Sequence, residues 1–285
     1  MARRLILPSP ALRPLVQAYM LLDEDHPQAE QHVFLPEQLA HLTFSSGRSW
    51  VLGGGGLLTP VPQATLEGLV TSPTQLVSEG SVRALRAELY PWAARQLFGW
   101  RSPDPALDLL AGAAGGGAAG TARAIGAALA ARDDETALGL LEGWLLTLLA
   151  QSGWAPGTGV RAAVRLYHSG GQGRLGELAA ELDVSPRTLE RQFVQEVGIG
   201  AKTLARLIRF ETAHNALAFD PQTPLAALAS DLGFFDQAHL TREFRALGGV
   251  TPGTYARISE ARSREGEWRD FQQANPRLLL PHLPE

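Results

Sequence analysis

The stretch LAALASDLGFFDQAHLTREFRAL (residues 225–247) indicates the fold of the C-terminal part of this chain. The stretch LGELAAELDVSPRTLERQFVQEV (175–197) has the same pattern. Apolar and small residues recur between the two stretches at a displacement of 50 positions before the central turn and 51 after it. The one-residue difference falls between two helical patterns. A repeat that keeps its helices and varies only its turn is a repeat of one supersecondary unit.

Each copy has the features of a helix-turn-helix. The first helices, 175–182 and 225–232, carry a small residue where the second helix must cross them closely: Ala179 and Ala229. The turns contain Asp183 and Gly233, which are residue types that accept a left-handed backbone. Each second helix follows a side chain that can cap it, Ser185 or Asp236.

The second helix of each unit has one apolar face and one polar face. Leu189 and Phe193 in the first unit, like their counterparts in the second, are four residues apart and face the core. The opposite faces carry side chains whose types suit reading of bases in a major groove: Arg187, Glu190 and Arg191, then Gln237, Thr241, Arg242 and Arg245. Phe234 and Phe235, at the second turn, are predicted to fill the core.

A continuous apolar pattern of helical spacing joins the two units over residues 201–219 and ends before Pro221. A helix of this length spans about 28 Å. Successive major grooves on one side of B-DNA lie about 34 Å apart. The sequence therefore predicts that one helix holds two recognition helices near adjacent grooves.

Residues 160–258 resemble the DNA-binding domain of the AraC/XylS family of bacterial transcription regulators. The resemblance is carried by LAAELDVSPRTLERQFVQEVG (178–198), by RFETA (209–213) and by PLAALASDLGFFDQAHLTREFRALGGVTPGTYAR (224–257). It implies two helix-turn-helix subdomains joined by a long helix. The implied base-contacting positions are Arg187, Glu190, Arg191, Gln237, Ala238, Thr241 and Arg242. The acidic Glu190 departs from the family pattern and could accept from cytosine or pair with a neighbouring arginine.

The N-terminal part has a different pattern. Short apolar runs bounded by turn formers predict an antiparallel sheet or barrel, with strands at 32–36, 39–44, 50–53, 66–70 and 82–89. Helices are predicted at 11–19, 91–98, 121–132 and 136–150. The expected fold is therefore multidomain, with an N-terminal α+β domain and a C-terminal all-α domain.

Composition shifts place the domain boundaries. Residues 1–150 form the predicted sensor or dimerisation domain, and they resemble, more faintly, the domain that precedes this module in one branch of the family. The Gly- and Pro-containing segment 151–159 is the predicted linker, 160–258 the double helix-turn-helix domain and 259–285 a C-terminal tail.

Composition and charge narrow the class of protein. No cysteine is present, which excludes thiolate nucleophiles and cysteine metal sites. Residues 1–155 carry a net charge of −4, but residues 156–262, with 12 basic against 11 acidic residues, carry +1. Affinity for DNA must then depend on where the arginines point. With no membrane span, signal segment or catalytic constellation apparent, we expect a cytoplasmic, non-enzymatic protein without a cofactor.

An effector pocket is one interpretation of the aromatic residues of the N-terminal domain, and a packed core is the other. The candidate effector-binding residues are Phe34, Phe44, Trp50 and Trp92. His26, His32 and His41 lack a tight ligand spacing, so no metal site is expected.

The functional hypothesis is a sequence-specific, effector-responsive regulator, an activator or repressor, that binds double-stranded DNA. RNA polymerase, a small-molecule effector and a second copy of the chain are further candidate partners. The alternative is a DNA-bound dimerising or architectural protein that has no effector.

Overall fold

A computed structural model of the protein describes residues 2–101, 106–111, 117–265, 281 and 283. The N-terminal half contains seven strands: β1 (Ala2–Ile6), β2 (Val16–Phe34), β3 (Ala40–Leu52), β4 (Leu58–Pro60), β5 (Ala64–Glu67), β6 (Thr74–Leu89) and β7 (Leu107–Asp108). Helix α1 (Pro91–Phe98) follows β6, and α2 (Ala118–Ala130) and α3 (Asp134–Ser152) follow β7. The predicted fold class, an antiparallel sheet domain with helices followed by an all-helical domain, is confirmed.

All seven strands pair antiparallel in one sheet of order β1-β2-β6-β3-β5-β7, with β4 paired to the outer part of β3. The long strands β2, β6 and β3 form its centre, with Val16 and Ala40 both opposite Leu89. Bulges interrupt β2 after His26 and β3 after Ser46. Bulges bend the strands that contain them, so the sheet curves around an apolar interior.

The predicted helix at 11–19 is wrong. Residues 10–15 form turns in which the backbone N–H groups of Leu15 and Val16 both donate to the carbonyl of Leu12, and β2 begins at once. The alternation of apolar and polar residues that would indicate a strand is absent at the start of β2, because four consecutive residues, Val16 to Tyr19, are buried. The strands predicted at 39–44 and 50–53 are parts of the single strand β3, which bends but does not end between them.

The C-terminal half consists of α4 (Thr158–His168), α5 (Leu175–Glu181), α6 (Pro186–Val197), α7 (Ala201–Phe219), α8 (Leu225–Asp231), α9 (Gln237–Gly248) and α10 (Pro252–Glu265). The predicted connecting helix at 201–219 is α7. Helix α10 runs past position 258, so the predicted start of the tail falls inside a helix. After Gly253 no glycine or proline interrupts α10 until Gly266. The rest of the predicted tail, apart from residues 281 and 283, lies outside the described residues.

The two halves share one apolar core that continues from Leu12 to Ala256. An aromatic cluster lies where they meet: the rings of Tyr90 and Trp92 stack at 4.8 Å, and Tyr167 of α4 packs edge-on against both. Among the residues that the structure describes, no helix is long and apolar enough to cross a bilayer.

Candidate nucleic-acid interface and sensing cavity

The first helix-turn-helix unit consists of α5 and α6. Asp183 adopts a left-handed backbone at φ 53°, as the sequence predicts for this turn. Ser185 Oγ then accepts a hydrogen bond from Thr188 N at 3.1 Å, which caps α6. Ala179 is fully buried where the two helices cross, and Leu189 is buried below α6.

The second unit, α8 and α9, repeats this geometry. Gly233 has φ 68° at the turn, and Asp236 Oδ1 accepts from His239 N at 2.6 Å to cap α9. Ala229 and Phe244 are buried as their counterparts are. The duplicated caps, turns and apolar anchors predicted from the sequence are therefore confirmed in both units.

The polar faces of α6 and α9 point to solvent. The exposed predicted contact residues are Arg187, Glu190, Arg191, Gln237, Ala238, Arg242 and Arg245. Thr241 is half-buried, and its hydroxyl donates to Gln237 O at 2.8 Å. Among the described residues Glu190 forms no ion pair with Arg187 or Arg191. In the part of the chain that the structure describes, the arginines of both faces form no ion pair with a carboxylate.

Phe234 and Phe235 differ sharply in burial. Phe234 is buried as predicted, with the guanidinium of Arg209 4.9 Å from its ring. Phe235 is 92% exposed next to the start of α9, so its predicted place in the core is wrong. An apolar side chain at the edge of a reading face can contact a thymine methyl group. No sequence pattern separates these two adjacent phenylalanines.

Helix α7 anchors the second unit. Arg206 Nε donates to Glu243 Oε2 of α9 at 2.6 Å, and Tyr255 OH of α10 lies 2.6 Å from His214 Nε2. Burial lowers the pKa of His214 to about 4, against the opposing effect of Glu37. His214 is therefore neutral near pH 7, and its Nε2 can accept the Tyr255 hydroxyl proton. These contacts fix α9 and α10 relative to the long helix.

Helix α1 of the N-terminal domain packs against the C-terminal end of α6. Arg95 Nε donates to Gln195 O at 3.0 Å, and Gln96 Nε2 donates to Glu196 O at 3.1 Å. These side chains satisfy carbonyl groups that a helix end leaves without intrahelical partners. The position of α6 is therefore tied to the N-terminal domain.

Gln38, in the loop between β2 and β3, binds two helices of the C-terminal domain. Its backbone N donates to Glu211 Oε2 of α7 at 2.7 Å, and its backbone O accepts from Tyr167 OH of α4 at 2.7 Å. Burial, then the carboxylates of Glu37 and Glu88, raise the pKa of Glu211 to about 8. The loop thus holds a carboxyl group that carries a proton for much of the time at neutral pH.

A cavity of about 260 Å³ lies beside this loop. Its walls combine apolar side chains with a few ionisable ones: Phe34, Leu35, Leu39, Leu69, Val70, Leu76, Trp100 and Ala106, then Glu37, His41, Glu67 and Arg86, with Gly68, Thr71 and Thr74. Glu37 pairs with His41 at 2.8 Å. Arg86 Nε is buried and has no hydrogen-bond partner among the residues that the structure describes. A mostly apolar cavity with a few polar groups is typical of a small-molecule site.

The structure does not bring the four aromatic residues proposed from the sequence to one cavity. Phe34 lines it, but Phe44 and Trp92 are fully buried in the core. Trp92 Nε1 donates to Pro14 O at 2.8 Å, which accounts for its burial. Trp50 lies in the outer part of β3 with Arg48 5.9 Å from its ring. Sequence reasoning missed Arg86 and Trp100, whose role depends on contacts between distant segments.

Trp100 lies between the cavity and the end of α6. Its ring lies flat on Gly68, where an added Cβ would come within 1.7 Å of the indole. Its carbonyl oxygen would be 3.3 Å from a Cβ at Gly198, the residue that ends α6. Trp100 therefore adjoins both the cavity and the end of α6.

Two family models match the chain. Residues 178–258 match a helix-turn-helix domain, and residues 4–105 match a domain of unknown function (DUF6597). A comparison with curated protein sequences gives no significant match.

Solved structures are similar to parts or most of the chain. A structure of ToxT from Vibrio cholerae has 12% identity and a TM-score of 0.48, and the match covers 84% of this chain and 98% of that one. The C-terminal domain of AraT, a response regulator from Geobacillus stearothermophilus, has 30% identity over 35% of this chain and 84% of that one, with a TM-score of 0.33. A DNA-binding transcriptional dual regulator from Escherichia coli K-12 has 20% identity over 38% and 96%, with a TM-score of 0.33.

Proposed function

Since its C-terminal domain places this chain in the AraC/XylS family of helix-turn-helix transcription regulators, we propose that it is an effector-responsive regulator that reads two adjacent major grooves. Binding to double-stranded DNA and regulation of transcription follow from the family. The residues that read bases, the effector and the coupling between them are the proposal. We take residues 1–150 as the sensing domain and 160–258 as the reading domain.

Two exposed reading faces joined by α7 support binding in adjacent grooves. A helix of 19 residues spans about 28 Å, close to the roughly 34 Å between major grooves on one side of the duplex. Arg187 and Arg191 supply forked donors for guanine from α6, and Arg242 does so from α9. Gln237 suits adenine. Glu190, with no arginine partner, is available to accept from the amino group of cytosine.

One observation carries the effector-responsive part of the proposal. The cavity shares its walls with two of the contacts between the N-terminal domain and the C-terminal helices. The loop containing Leu35, Glu37 and Leu39 also contains Gln38, which binds α4 and α7. On the opposite side, Trp100 lies between the cavity and the end of α6. A ligand that moved either wall would favour one arrangement of the two units over another.

The cavity lining indicates the chemistry of the effector. Most of its wall is apolar, and the buried Arg86 Nε offers a donor without an acceptor. An unsatisfied donor of this kind favours a ligand that brings an oxygen or nitrogen acceptor. The effector we propose is a small, mainly apolar molecule with one acceptor group placed against Arg86.

Selection of bound duplexes from a random DNA pool tests the reading part. We expect a motif of two blocks separated by about one helical turn, and a repeat of the whole motif would indicate a dimer. A single block of conserved bases would contradict simultaneous reading by α6 and α9.

A thermal-shift screen against small metabolites tests the sensing part and separates it from an architectural role. A ligand present at 100 times its Kd stabilises the protein by about 2.7 kcal/mol. The same ligand must change DNA affinity, and Arg86→Gln must weaken its binding. If ligands stabilise the protein without any change in DNA affinity, the coupling is wrong and the architectural alternative is favoured.

A further inference from the structure

The bulge in β2 brings together side chains that the sequence separates. His26 pairs with Gly80 of β6 and Glu30 pairs with Ser78, so four steps along β2 oppose two steps along β6. In a regular strand, residues four apart are about 13 Å from each other. Here His26 Nδ1 and Glu30 Oε2 are only 2.8 Å apart.

His32 completes the cluster. It lies two residues after Glu30 and so points to the same face of the strand. Its ring centroid is 5.1 Å from that of His26, and one ligand atom from each of the three side chains lies within 4.8 Å of the others. His26 and His32 lack a tight ligand spacing in the sequence, but the bulge brings their side chains together in the structure. His41 lies elsewhere, paired with Glu37.

Two buried nitrogen atoms of the cluster form no hydrogen bond with any described residue. Nε2 of His32 is buried without a partner, and Nε2 of His26 is buried without a hydrogen bond although Glu24 Oε2 lies 3.4 Å from it; His26 as a whole is 5% exposed. Buried polar atoms nearly always have a hydrogen-bond partner, and an exception is explained when an ion or another ligand takes that place. A cation bound between the rings would supply a partner for Nε2 of His32.

The donor set determines which cations fit. Two imidazoles and one carboxylate suit divalent first-row transition metals such as Zn²⁺ and Co²⁺, which take nitrogen ligands at about 2.0–2.1 Å. Ca²⁺ and Mg²⁺ prefer an all-oxygen shell. Convergence to this distance requires small side-chain rotations, which the 58% exposure of the Glu30 side chain permits.

A second carboxylate is placed to orient the buried ligand. Glu24 Oε2 lies 3.4 Å from His26 Nε2, and Glu24 Oε1 accepts from Arg3 Nη2 at 3.3 Å. A histidine that binds a metal through one ring nitrogen usually donates its other N–H to a carboxylate. His26 Nδ1 lies 2.8 Å from Glu30 and Nε2 3.4 Å from Glu24, so a small rotation of either side chain would give His26 this arrangement.

We propose that His26, Glu30 and His32 form a binding site for a divalent transition-metal ion, with Glu24 as the positioning residue of His26. The ion would join the two halves of β2 across the bulge. The site uses none of the residues assigned to DNA reading or to the cavity, so it stands whether or not the proposed function does.

Titration of the tag-free full chain with Co²⁺, followed by its visible absorption and by competition with Zn²⁺, tests the site. We expect one equivalent to bind, and Glu30→Gln and His32→Gln each to weaken binding at least tenfold. Both positions are at least partly exposed, so these variants should fold. His26 is left intact because its burial makes a folding defect the simpler result of replacing it.

Matched variants show whether any loss is specific. Glu79→Gln removes an exposed carboxylate from the neighbouring strand, and His168→Gln removes an exposed imidazole from α4. Both should bind Co²⁺ within twofold of the parent protein. Zn²⁺ should also raise the Tm of the parent and of both controls, but not that of Glu30→Gln. Absence of Co²⁺ binding, or equal affinity in ligand and control variants, overturns the proposal.

Discussion

The backbone N–H of Gln38 donates to the carboxyl oxygen of Glu211 at 2.7 Å, and this bond joins the sheet of the N-terminal domain to the helix between the two helix-turn-helix units. The same residue accepts from Tyr167, so one loop position contacts both α4 and α7. Any change in the loop alters the support of the helix that sets the separation of the reading faces.

Glu211 should make the stability of this contact depend on pH. Its pKa rises on folding from 4.5 to about 8, so the folded chain retains a proton that the unfolded chain releases. The free energy of unfolding therefore loses this contribution as pH rises from about 4.5 to about 8. Glu211→Gln keeps an acceptor for Gln38 and cannot ionise.

We expect Glu211→Gln to gain stability relative to the parent between pH 5 and pH 8, by at least about 1 kcal/mol, measured by urea unfolding at each pH. His214, whose pKa is lowered on folding to about 4, is present in both proteins. Its contribution to the pH dependence of unfolding therefore cancels in the difference. Glu177→Gln on the exposed surface of α5 serves as control and should show a constant difference. A difference for Glu211→Gln that does not change with pH would show that Glu211 ionises normally.

The reading faces should contribute separately to affinity. Arg191→Ala and Arg242→Ala should each weaken binding to the selected site by about 1–3 kcal/mol and relax base preference only in the block read by that helix. Arg123→Ala, on the exposed face of α2, should leave the footprint unchanged. Equal loss of preference in both blocks from either substitution would mean that α6 and α9 do not read separate grooves.

The helix-turn-helix units could be predicted from the sequence because their signals are local. A cap at Ser185 or Asp236 and a turn residue at Asp183 or Gly233 fix each unit within a few positions. The duplication then gave an internal test. Even there the exposure of Phe235 could not be predicted from the neighbouring residues. Phe234 and Phe235 are identical side chains, and only the direction of the backbone in the turn decides that one is buried and the other exposed.

The N-terminal domain could be predicted only in class. Its strands are long and bent, and a bulge shifts register by an amount that no local pattern records. The proximity of His26 and Glu30 depends on such a shift. The cavity likewise brings together Arg86 and Trp100 from segments that are distant in sequence. Phe44 and Trp92 were predicted to bind an effector only because they are aromatic. They fill the core instead, because they are large and apolar.

Phe235 should contribute to DNA binding and not to folding. At 92% exposure its truncation removes almost no packing, so Phe235→Ala should keep the Tm of the parent. The parent protein should bind a duplex with thymine at the base pair next to the start of α9 more tightly than the same duplex with uracil, which lacks the methyl group. In Phe235→Ala we expect weaker binding to the thymine duplex and the loss of this preference. Phe219→Ala, 77% exposed at the end of α7, is the matched control. Unchanged preference for thymine in Phe235→Ala would remove this contact.

The packing of Trp100 on Gly68 predicts a cost for any side chain at that position. Gly68→Ala would place a methyl group inside the indole ring, so Trp100 must move, and overpacking of this kind costs about 1–3 kcal/mol. Gly126→Ala, in the interior of α2 with open space around it, should instead stabilise by about 0.5–1 kcal/mol. Because the Trp100 carbonyl adjoins the end of α6, Gly68→Ala should also change DNA affinity, and an unchanged affinity would argue against this route of coupling.

The two turns should respond oppositely to exchange of their central residues, although they occupy equivalent places in the repeat. Gly233 has φ 68° and Asp183 has φ 53°, a region in which a side chain is strained. Gly233→Ala adds that strain and brings Cβ to 3.0 Å from Gln172 Oε1, so its free energy of unfolding should fall by about 1–2 kcal/mol.

Asp183→Gly relieves the strain in the first turn, while the greater freedom of glycine in the unfolded chain offsets part of the gain. Its free energy of unfolding should equal or exceed that of the parent by up to about 1 kcal/mol. Urea unfolding of both variants measures the contrast, and binding to the selected site shows where it acts. Gly233→Ala should weaken protection of the block read by α9 and spare the block read by α6. If Asp183→Gly destabilises as much as Gly233→Ala does, backbone strain does not limit these turns, and the side chain of Asp183 has a structural role of its own.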